Sequence, residues 1–152
     1  MSPATLDSSI WIPYLRTRRY ASTVDPLVAA GRAWLHGVVL LELYAGTASA
    51  EDKRAVDAIR RSARELGRLV CPNEEDLCLA GQVLSLYSRR HARIRPRDHS
   101  HDVLIAIGAA RTRSVLLTEN VVHLQRWADL LRRRAGLRVT VVRPAAGEGT
   151  ER

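Results

Sequence analysis

Four side chains able to hold a cation stand at the ends of apolar runs in this chain. Asp7 follows ATL, Glu42 is embedded in VVLLELYAG, Asp102 opens DVLIAIGAA and Asn120 closes SVLLTEN. An acid set among Val, Leu and Tyr loses its hydration, so Glu42 requires a cation close by. Clustered carboxylates repel one another unless a divalent ion lies between them, and oxygen-only ligands suit Mg²⁺ or Mn²⁺. Each residue also has a plainer reading. Asp7 could be a strand-end turn residue or a helix cap, Asp102 a first-turn acid on a helix dipole, and Asn120 the cap of the last helix. Asp98 is the best spare ligand. His99 and His101 flank Asp102 and with Asp98 could make a zinc site, but no HxxxH pair accompanies them. Loop polarity or phosphate contact is the preferred role for these two and for His123.

The elements that must position these groups are legible as alternating apolar runs and amphipathic stretches. ATLDSSIWI reads as a short strand interrupted by Asp7, Ser8 and Ser9, with a helix from about Ile10 that tolerates Pro13 only in its first turn. A second helix is expected from Asp25–Pro26 to Leu35, then a buried strand Val38–Leu41 turning into a helix at Glu42. AEDKRAVDAIRRSARELG repeats Val56, Ile59, Ala63 and Leu66 at helical spacing and is closed by Gly67. RLVCP is a short strand, and Asn73 caps the helix that follows it. The loop RPRDHS, a helix over His101–Arg113, a strand over Ser114–Thr118, a helix from Val121 to about Arg134 and a terminal strand RVTVV complete the order.

Short continuous apolar strands alternating with helices imply a mostly parallel sheet covered on both faces. In such sheets ligands bind beyond the carboxyl ends of the strands. Asp7, Glu42 and Asn120 all fall at expected strand ends. One domain over residues 1–144 with a disordered tail over 145–152 is the expected organisation.

Composition excludes several classes. The 152-residue chain is long enough for a substantial core, and no apolar run reaches the length of a membrane span. The start carries no secretion-signal pattern, which makes the cytoplasm the expected compartment. Cys71 and Cys78 lack metal-spaced partners and read as buried thiols in a reducing compartment. Trp11, Trp34 and Trp127 read as packing residues on apolar helix faces. The formal charge of +8, almost wholly from arginine, favours a polyanionic partner, with Arg16, Arg18 and Arg19 as candidate backbone contacts. A Ser/His/Asp or Cys/His pattern is missing, as is a GxGxxG after the first strand. A receiver domain would need a lysine after its last strand, and the only lysine is Lys53.

LDSSIWI, LLELYAG, HDVLIAIGAA and LLTENVVHL, in that order, resemble the four signature blocks of the PIN domain, and most nearly those of VapC-type toxins. The resemblance implies a three-layer α/β/α sandwich around a mostly parallel sheet. It also implies a Mg²⁺-dependent endoribonuclease that cuts single-stranded regions of RNA, forms a homodimer and is neutralised by a cognate antitoxin. Asp7, Glu42 and Asp102 match the family's three acids, Asn120 its fourth position, and Thr118 a hydroxyl residue near the metal. Mn²⁺ could replace Mg²⁺. Asn120 is neutral, the loop at Val122 lacks an extra acid found in some members, and His123 stands where many have Phe. These departures admit the alternative of an inactive PIN-like module that binds RNA or protein.

Overall fold

The computed structural model describes residues 1–91 and 93–145. Beyond residue 145, the expected tail lies outside the described residues. Five strands alternate with helices: β1 (Ala4–Leu6), α1 (Ser8–Thr17), α2 (Ala21–Ala29), β2 (Ala33–His36), α3 (Gly37–Ala45), α4 (Ala50–Glu65) and β3 (Leu69–Val70). The chain continues with α5 (Glu74–Arg90), α6 (Pro96–Arg111), β4 (Val115–Leu117), α7 (Val121–Ala135) and β5 (Val141–Val142). The strands form one sheet in the order β3-β2-β1-β4-β5, and every pairing is parallel.

This order makes the architecture. The chain steps outward from β1 to β2 to β3, then crosses back to β4 and on to β5. Right-handed crossovers put helices of opposite steps on opposite faces, giving α1–α4 one face and α5–α7 the other. Packing agrees, with α4 against β2 and β3, and α5, α6 and α7 against one another. The result is the expected three-layer sandwich. Leu6, Leu35 and Leu116 from the strands meet Trp11, Val39, Ile105, Ile107, Leu124 and Trp127 from the helices in one buried core. Burial on both faces explains why the strands read as continuous apolar runs instead of alternating ones.

Several expected boundaries move, each for a local reason. α1 begins at Ser8, not near Ile10, because the Asp7 carboxylate accepts from the Ser8 N–H and caps it. Pro13 consequently lies inside the helix instead of in its first turn. α2 begins at Ala21 and ends at Ala29, so Leu35 belongs to β2 and not to a helix. The strand expected at Val38–Leu41 is helical. His36 ends β2 and its Nδ1 accepts from the Val38 N–H at 3.2 Å, which starts α3 at Gly37. α6 begins at Pro96 with Arg95 as its cap position, so Asp102 lies in the second turn and does not open the helix. β5 is shorter than RVTVV. Trp34 sits in β2, not on a helix, whereas Trp11 and Trp127 are buried in the core from α1 and α7. Both cysteines are exposed free thiols, against the expectation of burial, because each sits at or near the solvent-facing start of α5.

Two contacts set the spacing of the helices that carry the acids. A Cβ on Gly108 of α6 would stand 2.4 Å from Cδ2 of the buried His36 ring, so only glycine lets the ring pack there. Asp76, buried at the start of α5, completes a capping box with Asn73 and pairs with Arg111 in the last turn of α6. That pair ties the two helices together end to end.

Candidate metal centre at the sheet switch point

The strand order reverses between β1 and β4, and the crevice beyond their carboxyl ends is where open parallel sheets bind ligands. Asp7 lies at that crevice, immediately after β1, and is buried. Its Oδ1 accepts from the Ser8 N–H at 2.8 Å. Its Oδ2 accepts from Ser9 Oγ at 2.8 Å and from Thr118 Oγ1 at 2.9 Å. The two hydroxyls are themselves oriented from the segment that follows β4: the Glu119 N–H donates to Ser9 Oγ and the Asn120 N–H to Thr118 Oγ1, each at 3.0 Å. A carboxylate held by this many donors has a fixed plane.

Glu42 reaches the site from the second turn of α3, the helix packed on both α1 and α6. Its Oε1 is 2.8 Å from His101 Nδ1 of α6. Its Oε2 is buried and has no hydrogen-bond partner among the described residues. A buried carboxylate oxygen left without a donor needs a cation or water to be stable.

Asp102 is the electrostatic centre. Burial raises its pKa above the usual carboxylate range, His123 pulls it down, and the negative charges of Asp7 and Glu42 push it further up. The three acids thus act on one another from three separate segments. Asn120 occupies the cap position of α7 without capping it. Its amide nitrogen is instead 3.2 Å from His123 Nδ1, and that nitrogen is 3.1 Å from Asp102 Oδ2.

Other residues singled out in the sequence lie elsewhere or do something different. Glu119 turns to Arg19 at 3.0 Å and Arg143 at 3.6 Å, so its carboxylate is occupied by ion pairs. Asp98 is exposed in the first turn of α6. Arg18 is tied to Asp25 at 2.6 Å and stacks on Tyr14, while Arg16 reaches the Gly46 carbonyl. Of the three arginines, only Arg19 is joined to the end of β4, through Glu119. His99 stands on α6 instead of in the loop RPRDHS, and His101 stands on the same helix as expected. Sequence reasoning missed Ser9, which aligns Asp7, and the junction of His101 with Glu42. Ser9 was visible in the DSS triplet as a second hydroxyl behind a capping acid; the histidine contact joins segments with no common pattern.

The residues fit a divalent cation on the structure's own terms. A cation would relieve an orphaned buried Glu42 oxygen, and likewise an Asp102 carboxyl raised first by burial; the ligand-type side chains gathered within 4.8 Å of one another are His99, Asp102 and His123.

Known proteins place this arrangement in a class. The sequence matches the PIN domain family over residues 4–126, most of its length. The chain belongs to the PIN domain family. No curated protein matches it. Among solved structures it resembles a chain of FitAB bound to an IR36 DNA fragment, with a TM-score of 0.65, 18% identity, and 97% of this chain and 99% of that one covered. A DNA-bound VapBC from Salmonella typhimurium gives a TM-score of 0.60 at 18% identity, over 93% and 98% of the two chains. FitAcB from Neisseria gonorrhoeae gives 0.62 at 17% identity, over 90% and 96%. At these identities the likeness is one of fold.

Proposed function

We propose that the protein is a metal-dependent endoribonuclease, the toxin of a toxin–antitoxin pair, and that residues 1–144 act as its one catalytic domain. The observation that carries this reading is a buried Asp7 at the switch point of a PIN fold, together with a buried Glu42 oxygen that no described residue satisfies. Asp7, Asp102 and Glu42 would hold Mg²⁺, or Mn²⁺, with Asn120 as a neutral oxygen donor and Thr118 in support; Asp98 stands in reserve. The chemistry supplied by a cation held there would be a water of lowered pKa and positive charge to offset that growing on the attacked phosphate.

The chain's own residues do the rest. Ser9 and Thr118 keep the Asp7 carboxylate in one plane, so no reorganisation is needed when substrate arrives. His101 holds Glu42 by one oxygen and leaves the other free. Arg16, Arg18 and Arg19 supply positive charge for the backbone of single-stranded RNA, in keeping with the net charge of +8. The resemblance to VapC-type toxins supports a cytoplasmic homodimer neutralised by a cognate antitoxin; the likeness to VapBC and FitAB structures supports the antitoxin partner alone. Among the described residues no helix is long and apolar enough to cross a membrane.

Purified protein incubated with total RNA tests the reading. Cleavage that needs Mg²⁺ or Mn²⁺, stops on chelation and is lost in Asp7→Asn supports it. Metal-independent cleavage overturns it, and RNA binding without cleavage in any divalent metal would establish the inactive binding module instead.

A further inference from the structure

His99 and Asp102 stand one turn apart on α6, and His123 stands in the first turn of α7, which packs against it. An imidazole nitrogen from each histidine and a carboxylate oxygen of Asp102 all lie within 4.8 Å of one another. His123 Nδ1 is 3.1 Å from Asp102 Oδ2. His99 Nδ1 is buried and has no hydrogen-bond partner among the described residues. Aromatic packing accounts for the rings: His99 is 5.1 Å from the His123 ring and 5.6 Å from that of Trp127, centroid to centroid. It does not account for the buried His99 Nδ1, whereas His123 Nδ1 also meets the Asn120 amide nitrogen at 3.2 Å. A phenylalanine would pack as well without burying a polar atom that has no partner.

We propose that His99, Asp102 and His123 form a mixed nitrogen–oxygen site for a borderline divalent cation of the Zn²⁺ or Co²⁺ kind, adjoining the acid cluster. Two imidazoles and one carboxylate suit such ions, whereas Mg²⁺ is a hard ion that keeps to oxygen. Three protein ligands leave room for water or a substrate oxygen. Asp102 belongs to both ligand sets. The site shares that residue with the proposed nuclease centre, but it requires neither RNA cleavage nor a bound Mg²⁺. The partner that a zinc reading of HSH lacks in the sequence is supplied from the next helix.

The test uses full-length, metal-stripped protein without a histidine tag, titrated with Co²⁺ at neutral pH. One equivalent should bind, and proton spectra should show strongly shifted, exchangeable imidazole N–H resonances from two histidines. His99→Phe and His123→Phe should each remove one resonance and weaken Co²⁺ binding at least about tenfold, while Mg²⁺ affinity stays within about twofold. Asp7→Asn should do the reverse, weakening Mg²⁺ and sparing Co²⁺. Absence of shifted imidazole resonances in the Co²⁺-loaded parent overturns the site, and that measurement depends on no variant folding. Retention of both resonances and full Co²⁺ affinity in folded His123→Phe overturns it equally. Intact Co²⁺ signals in a protein that never cleaves RNA would sink the nuclease reading alone.

Discussion

Thr118 Oγ1 donates to Asp7 Oδ2 at 2.9 Å, joining residues 111 positions apart across the point where the strand order reverses. The same Thr118 oxygen accepts from the Asn120 N–H, so one hydroxyl aligns the acid and fixes the start of the loop into α7. Ser9 repeats the device with the Glu119 N–H. The two bridges lock the segment after β1 to the segment after β4.

Thr118→Val keeps the shape and removes the hydroxyl. It leaves the Asn120 N–H without its acceptor and Asp7 short of a donor, at an expected cost of about 1–3 kcal/mol. Thr118→Ser should recover most of this. Chemical denaturation of the three proteins measures it, and a Val variant as stable as the parent would mean that water replaces the hydroxyl.

Asp7→Asn removes a negative charge that raises the Asp102 pKa. In metal-free protein the Asp102 carboxyl should therefore titrate at lower pH in the variant. Carbon-detected NMR of the carboxyl resonances reads this directly. An unchanged Asp102 titration would show that the two acids do not interact.

Asn120→Asp adds a charge where Asn120 already meets His123. Mg²⁺ should bind more tightly, with the rate of any cleavage free to move either way, since ground-state binding need not favour the transition state. Calorimetric titration compares the two proteins. Equal affinities would leave Asn120 outside the metal's reach.

His36 gives a pH dependence with a defined sign. Burial lowers its pKa to about 4, with Asp76 and Glu42 opposing that shift and Arg111 adding to it. The unfolded chain, with a histidine pKa near 6.5, takes up the proton first as pH falls. Stability is then full above about pH 6.5 and declines towards pH 4, by about 3 kcal/mol in all. His36→Asn retains an acceptor for the Val38 N–H and should flatten that part of the curve, as followed by Tm against pH.

Gly108→Ala places a methyl group 2.4 Å from the His36 ring. Overpacking of this kind costs about 1–3 kcal/mol, more than the gain of up to about 1 kcal/mol from replacing a helical glycine. Combining it with His36→Asn, whose side chain is smaller, should restore part of the loss. Additive losses in the double variant would show that the two residues do not press on each other.

The sequence by itself determined the alternation of elements and the parallel buried sheet, and it singled out the acids as candidates. These follow from local properties: apolar runs of strand length, helical periodicity, and carboxylates that cannot sit among leucines without a reason. Asn73 as a cap and Gly67 as a terminator were legible for the same reason, and the structure shows both. Tertiary structure decided where those acids lie. VVLL reads equally as a strand or a buried helix, and only the His36 cap commits it to α3, moving Glu42 from a strand end to a helix that leans on α6. Asp102 enters from the second turn of a helix whose start, Pro96, sits at a favoured first position behind an unremarkable loop. The approach of His101 to Glu42 and of His123 to Asp102 depends on the strand order, because placing β4 beside β1 brings α6 and α7 over the crevice. Periodicity reports which face of an element is buried; it carries no information on which other element buries it.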